Sequence, residues 1–143
     1  MRLVLIMLLS LVALAGDTVQ EVKAFWDQCV KLEQAFDPAC IEVYADDAFI
    51  QNTRRYPNGK TRVVTLTGAQ FKALARSTLD LAKQRGDTST YSNLKFKAEK
   101  DGSVTITMTR FSNLKKYSSP QLTVVAKRDG KWMIVRELSE SRP

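Results

Sequence analysis

The 143 residues of this chain include no histidine, which restricts the chemistry that its side chains can perform. Nucleophiles activated by a Ser-His or Cys-His pair are excluded, and so are zinc sites with histidine ligands. Acid–base chemistry must therefore use carboxylates and tyrosines, whose pKa values burial can shift into a useful range. Tyr44, Asp46, Asp47 and Tyr56 lie close together in the sequence and are the candidates for an aspartate base with a tyrosine hydrogen-bond donor.

A structural interpretation of Asp46-Asp47 competes with the catalytic one. Adjacent aspartates often end a helix and open a loop, because their short side chains bond to nearby backbone groups. We favour this interpretation for the pair, so the catalytic residues stay unassigned. No metal site and no cofactor is predicted.

Arg110 and Arg136 occupy unusual positions for charged residues. In an alternating strand Arg110 falls on the same side as Met108, and Arg136 falls on the same side as Ile134. This pattern predicts two guanidinium groups that point inward and bind the carboxylate or phosphate of a ligand. The alternative is that the strands leave the core at these positions and that both arginines are exposed.

Two cysteines, Cys29 and Cys40, are present. Both fall on apolar faces of consecutive predicted helices, and in an oxidising compartment such a pair can form a disulfide. The alternative is two buried free thiols that pack as small apolar side chains.

The N-terminus has the pattern of a secretory signal. Arg2 supplies a positive charge, residues 3–14 are almost entirely apolar, and Ala13-Leu14-Ala15 has the form of a cleavage site. We therefore expect a signal peptide over residues 1–15 and a mature domain over residues 16–143, located in the periplasm or secreted. The apolar run is short for a bilayer span, so no stable membrane anchor is expected after the signal is removed.

The chain carries a net charge of +7, with basic residues in short clusters such as Arg54-Arg55 and Lys60 with Arg62. No nucleic-acid-binding motif accompanies these clusters, and nucleic acid is not expected as a partner. Attraction to an anionic surface or an acidic ligand is the more natural use of this charge.

Helices are predicted mainly in the first half of the chain. Apolar residues recur every three or four positions between Val19 and Phe36, which is typical of an amphipathic helix. A short second helix follows Asp37-Pro38, and Thr67 is a suitable N-cap for a third helix over residues 68–85.

Strands are predicted mainly in the second half. Alternating apolar and polar residues indicate strands at 48–54, 61–66, 89–98, 104–114, 121–127 and 132–139. Asp101-Gly102 and Asp129-Gly130 indicate hairpin turns, because glycine supplies the positive φ that tight turns need. This order of elements predicts the α+β class and a single domain.

The chain resembles the nuclear transport factor 2-like superfamily, which includes ketosteroid isomerases, scytalone dehydratase and polyketide cyclases. The segments that carry the resemblance are YADDAFI (44–50), DGSVTIT (101–107) and DGKWMIVRE (129–137). The resemblance implies three helices packed in the concavity of a strongly curved, mostly antiparallel sheet, which forms a cone whose open end holds a ligand. It also implies a homodimer that pairs through the sheet.

Two functions stay open on the sequence. The favoured one is an exported binding or interaction protein whose cone holds a small apolar or anionic molecule. The other is a cofactor-free isomerase or dehydratase with an aspartate base and a tyrosine donor. A deep cavity with a carboxylate of raised pKa would support the enzyme, whereas a cone filled by Trp26, Phe49, Phe71 and Trp132 would support an interaction role.

Overall fold

The computed structural model describes the backbone of residues 2–143 and the side chains from residue 15 onward. The predicted signal sequence thus lies almost entirely outside the residues whose side chains are described, and it stays a prediction. The helices are α1 (Arg2–Gln34), α2 (Ala39–Glu42) and α3 (Gly68–Arg85), and the strands are β1 (Tyr44–Arg55), β2 (Thr61–Thr67), β3 (Ser89–Ala98), β4 (Val104–Ser112), β5 (Tyr117–Arg128) and β6 (Lys131–Ser141).

The third helix has the ends that its sequence predicts. The Thr67 side chain accepts a hydrogen bond from the Gln70 amide, and the Gln70 side chain accepts one from the Thr67 amide. This reciprocal capping box satisfies two amides that a helix N-terminus otherwise leaves unpaired. At the other end Gly86 adopts the left-handed conformation with φ of 63° and closes the helix.

The six strands form one open, mixed sheet in the order β2-β1-β6-β5-β4-β3. Among the described strands, β1 pairs with β6 in parallel and the other four pairings are antiparallel. Strand β6 lies between β1 and β5 in the interior of the sheet, so its inward side chains lie in the middle of the concave face.

A β-bulge in β6 changes which of its residues face inward. Val125 pairs with Ile134, but the next residue back along β5, Val124, pairs with Arg136. Val135 is therefore an extra residue in β6, and the alternation of side chains reverses beyond it. As a result Ile134 and Glu137 both lie on the concave face, although they are three positions apart.

The helices pack on different parts of the concave face. A buried cluster of Val22, Trp26 and Cys29 from α1 packs against residues of β4, β5 and β6. The second cluster joins Phe71 of α3 to Ile50 of β1. Since α1 lies over β3 and β4 while α3 lies over β1 and β2, a space remains between the two helices above the centre of the sheet.

Within the described residues, none of the helices has both the length and the apolar character needed to cross a membrane.

Candidate functional site

The space between α1, α3 and the sheet is a cavity of about 400 Å³. The helix α3 supplies a mostly apolar wall, whereas α1 and the sheet supply polar and charged groups. The apolar wall consists of Phe71, Leu74, Ala75, Leu79 and Ala82, and the polar side includes Glu33, Asn52, Ser89, Arg110, Gln121, Glu137, Ser139 and Ser141. A mostly apolar cavity with a few convergent polar groups is typical of a small-molecule site.

Glu137 of β6 and Tyr44 of β1 form the first of two acid–tyrosine pairs in this cavity. The Tyr44 hydroxyl donates a hydrogen bond of 2.8 Å to Glu137 Oε2. The pKa of Glu137 is raised to about 6, mainly because of burial and with a smaller contribution from the charge of Glu33, while the Tyr44 hydrogen bond and the charge of Arg110 act in the opposite direction. Burial also raises the pKa of Tyr44 well above its ordinary value, so this tyrosine stays protonated and remains a donor.

Glu33 of α1 and Tyr91 of β3 form the second pair. The Tyr91 hydroxyl donates to Glu33 Oε2 at 2.9 Å. Burial raises the pKa of Glu33, against the opposing effects of the Tyr91 hydrogen bond and the charge of Arg110. Two carboxyl groups from elements far apart in sequence therefore share one cavity, and the charge of Glu33 makes Glu137 harder to ionise.

Arg110 of β4 is the predicted ligand-binding residue that the structure places in the cavity. Its Nε donates to Ser89 Oγ at 2.8 Å. It forms no salt bridge within 4 Å with any carboxylate of the described residues. A partly buried guanidinium held by a hydroxyl keeps donors for an anionic group of a ligand.

The inward orientation predicted for Arg136 is wrong. Its side chain is exposed, and its guanidinium lies over the ring of Phe49, 5.1 Å from the ring centroid. The prediction assumed unbroken alternation after Ile134, but the bulge at Val135 reverses the alternation and places Glu137 in the cavity instead.

Of the four acid–base candidates, Tyr44 alone lines the cavity. Asp46 is exposed, and its carboxylate lies 2.6 Å from Lys72 Nζ, a contact that lowers its pKa. Asp47 is also exposed and lies 3.6 Å from Arg128. Tyr56 lies in the turn between β1 and β2, beside a separate surface hollow. Neither aspartate is placed to act as a base in the cavity.

The predicted disulfide is not formed, because Cys29 and Cys40 are both free thiols. Both line the cavity. Burial raises the pKa of Cys29 to about 12, which keeps its sulfur protonated and unreactive. The alternative interpretation of two apolar free thiols is therefore the one that the structure supports.

The four aromatic residues whose packing inside the cone would have supported an interaction role do not fill it. Trp26 belongs to the buried core and Phe71 forms part of the cavity wall, whereas Phe49 is 39% exposed on the outer face. Trp132 packs at the margin of the core and donates through Nε1 to Glu21. The cone thus retains a cavity that contains a carboxyl group of raised pKa.

Glu33 and Glu137 were missed as site residues. Glu33 is seven positions after Trp26 and four after Cys29, so it lies on the apolar stripe of α1, and that spacing could have identified it. Glu137 could not have been found in the same way, because its inward orientation depends on the bulge at Val135.

No protein-family model and no curated protein matches this chain. Solved structures do match. An NTF2-like protein of unknown function from Pseudomonas putida superposes with a TM-score of 0.67 over 88% of this chain and 87% of its own, at 11% identity. An NTF2-like protein of unknown function from Shewanella oneidensis superposes with a TM-score of 0.65 over 85% of this chain and 98% of its own, at 14% identity. A proposed scytalone dehydratase from Novosphingobium aromaticivorans superposes with a TM-score of 0.60 over 87% of this chain and 86% of its own, at 16% identity.

These similarities, at low sequence identity, define the fold. The chain has the NTF2-like α+β fold, in which helices pack on the concave face of a curved sheet. The fold predicted from the resemblance is confirmed.

Proposed function

We propose that the cavity binds a small, mainly apolar molecule and that Glu137 transfers a proton to or from it. The protein would then be a cofactor-free enzyme of the isomerase or dehydratase kind. The observation that carries this proposal is the buried Glu137 carboxyl group, hydrogen-bonded by Tyr44, with a pKa of about 6 inside a cavity of about 400 Å³. A base whose pKa lies near the working pH combines adequate ionisation with adequate basicity.

In the proposed reaction, Glu137 accepts a proton from a carbon atom next to a carbonyl group. The electron pair of the broken C–H bond moves toward the carbonyl oxygen, which becomes an enolate stabilised by the positive charge of Arg110. The proton then returns from Glu137 to a different carbon, so the net reaction is an isomerisation. The exposed aspartates have no part in this scheme, and the glutamate replaces the aspartate base expected from the sequence.

A second candidate is a binding protein without catalysis, which was favoured on the sequence. The observation in its favour is Arg110, whose guanidinium lies in the cavity and makes no salt bridge with the described carboxylates. This candidate needs the cavity and Arg110 but not the basicity of Glu137.

Kemp elimination of a nitrobenzisoxazole distinguishes the two candidates, because this reaction needs only a base in an apolar site. The base removes the ring C–H proton, the N–O bond breaks, and a coloured cyanophenolate forms. We expect the protein to accelerate this reaction with an apparent pKa near 6 and Glu137→Gln to abolish the acceleration. Glu140→Gln, which changes an ion-paired carboxylate on the same strand, is the matched control and should retain activity.

Equal rates for Glu137→Gln and the unmodified protein would contradict the catalytic proposal. A probe that binds in the cavity without any elimination would favour the binding protein. The proposal predicts that the rate depends on Glu137 and not on Asp46 or Asp47.

We also propose that residues 1–15 direct export and that the mature domain of residues 16–143 works in the periplasm or outside the cell. The apolar residues 3–14 and the Ala13-Leu14-Ala15 sequence support this. Mass spectrometry of the protein from the cell envelope or medium should find a mature N-terminus near Gly16. Recovery of the uncleaved chain from the cytoplasm would contradict the proposal.

A further inference from the structure

Arg54 of β1 and Arg62 of β2 are directly opposite each other in the antiparallel register. Opposed residues point to the same side of a sheet, and like charges in such positions destabilise the pair. Within the described residues neither arginine forms a salt bridge. The neighbouring Arg55 is different, because Glu140 binds it through two hydrogen bonds of 2.8 Å.

Both unpaired arginines lie on the concave face, the face that bears the cavity. Along β1 this face carries Ile50, which packs in the cluster with Phe71 of α3, then Asn52, which lines the cavity, and then Arg54. The register with β2 is unbroken over this stretch, so Arg62 faces the same way. Arg54 is thus one alternation, about 7 Å, beyond the cavity wall toward the ends of the strands.

A row of residues across the sheet joins these two arginines to Arg110. Arg54 pairs with Ser141 of β6 on its other side. On β4, Arg110 pairs with Ser119 of β5, whose hydroxyl reaches the backbone oxygen of Glu140 next to Ser141. Arg54 and Arg110 are separated by three strand spacings, about 14 Å. The hydroxyls between them are already engaged, because Ser119 Oγ donates to the backbone oxygen of Glu140 and Ser141 Oγ donates to Asn52 Oδ1 at 2.7 Å.

We propose that Arg54 and Arg62 form an oxyanion-binding pair at the mouth of the cavity, so that the bound molecule is an amphiphilic anion. Its carboxylate or phosphate group lies between these two guanidinium groups, and Arg110 stays available for the enolate. Its apolar body extends inward along α3 toward Glu137, which lies four residues, about 13 Å, deeper along β6. This inference rests on the cavity of the proposed function and names its ligand class.

The charge distribution favours an anion at the mouth and not deeper in the cavity. The two carboxyl groups, Glu33 and Glu137, lie inside, whereas the mouth carries Arg54 and Arg62. Positive groups at the entrance attract an anion and orient it with its head outward. An anionic group placed near Glu137 would instead be repelled by the ionised carboxylate.

Calorimetric titration with octanoate, octyl phosphate and the neutral octanol tests this inference. We expect the double variant Arg54→Gln/Arg62→Gln to bind both anions at least tenfold more weakly and to bind octanol unchanged. Arg136→Gln is the matched control, because it removes the same charge from the outer face of the same sheet and should leave all three affinities unchanged. The anion that binds more tightly to the unmodified protein identifies the head group as carboxylate or phosphate.

Unchanged anion affinity in the double variant would overturn the inference, and so would an equal loss for octanol. Failure of all three probes to bind would overturn both the inference and the cavity function. Kemp elimination that is independent of Glu137, together with anion binding that depends on the arginines, would remove only the catalytic proposal.

Thermal unfolding supplies a second readout that a structural role of these arginines would not give. Because Arg54 and Arg62 repel each other, Arg62→Gln should raise the unfolding temperature of the free protein while it weakens octanoate binding. A lower unfolding temperature would show that Arg62 stabilises the hairpin, and would contradict the inference.

Discussion

Glu137 illustrates how its surroundings give one side chain a new property. Its carboxyl group lies inside the cavity, and burial penalises the ionised form more than the Tyr44 hydrogen bond and Arg110 favour it. The result is a carboxyl group that exchanges its proton near pH 6 instead of near its ordinary value of 4.5. Asp46, by contrast, is exposed and paired with Lys72, and its pKa is lowered.

The raised pKa of Glu137 makes stability depend on pH in a defined direction. Between its ordinary value of 4.5 and about 6 the folded state binds more protons than the unfolded state, so stability falls as pH rises through this window. The shift corresponds to a loss of about 2 kcal/mol in the free energy of unfolding between pH 4.5 and pH 7. Glu137→Gln has no carboxyl proton at this position and should not show this loss. Urea unfolding of both proteins at pH 4.5 and 7 measures this difference. If the two proteins differ in free energy of unfolding by the same amount at both pH values, the raised pKa does not belong to Glu137.

The hydrogen bond from Tyr44 can be tested separately. It lowers the pKa of Glu137, so Tyr44→Phe should move that pKa above about 6. Titration of the carboxyl carbon by nuclear magnetic resonance gives the value directly. Tyr91→Phe is the control, because its hydroxyl donates to Glu33 and not to Glu137. A pKa that stays the same or falls in Tyr44→Phe would show that the hydrogen bond does not favour the ionised form.

Among the elements, α3 determines the shape of the cavity, and its first residue fixes how closely it approaches β1. Gly68 is buried, and a Cβ added there would overlap the backbone carbonyl oxygen of Ala45. Backbone atoms cannot move aside as a flexible side chain can. Glycine is therefore required at this position by close packing.

Gly68→Ala should destabilise the protein by about 1 to 3 kcal/mol, the usual cost of inserting an extra carbon into a packed region. Gln84→Ala, at an exposed position of the same helix, is the control. Chemical denaturation of both variants measures the effect. Equal stability of Gly68→Ala and the parent protein would mean that α3 shifts freely, which would contradict its role as a fixed wall.

At the scale of the whole molecule, the two faces of the sheet differ in the groups that they present. The concave face carries the cavity, whereas the outer face of β1 and β2 exposes Phe49 and Val63, at 39% and 57%. The resemblance to the superfamily predicts that two copies pair through their sheets, and in such a dimer Phe49 and Val63 would be covered.

Light scattering at micromolar concentration should find a dimer, and Val63→Asp should convert it into a monomer because a buried carboxylate would be unpaired. Leu81→Asp, on the exposed side of α3, is the control and should remain dimeric. A monomeric parent protein would refute the pairing.

Much of the fold could be predicted from local sequence. The third helix begins and ends at the residues that Thr67 and Gly86 mark, and the Asp-Gly turns precede strands at the expected places. These features depend on interactions between residues a few positions apart, which is why the sequence reveals them. The contribution of Glu33 to the site could also have been predicted from the sequence, because Glu33 lies at helical spacing from Trp26 and Cys29.

The sequence by itself determined the α+β fold, the absence of histidine chemistry and the position of Arg110 on the concave face. Only the tertiary structure decided which acids form the site. Tyr44 and Glu137 are 93 positions apart, and they meet because β1 pairs with β6 across the sheet. The bulge at Val135 arises from pairing with two neighbouring strands, so no local pattern shows that Glu137 faces inward while Arg136 faces outward.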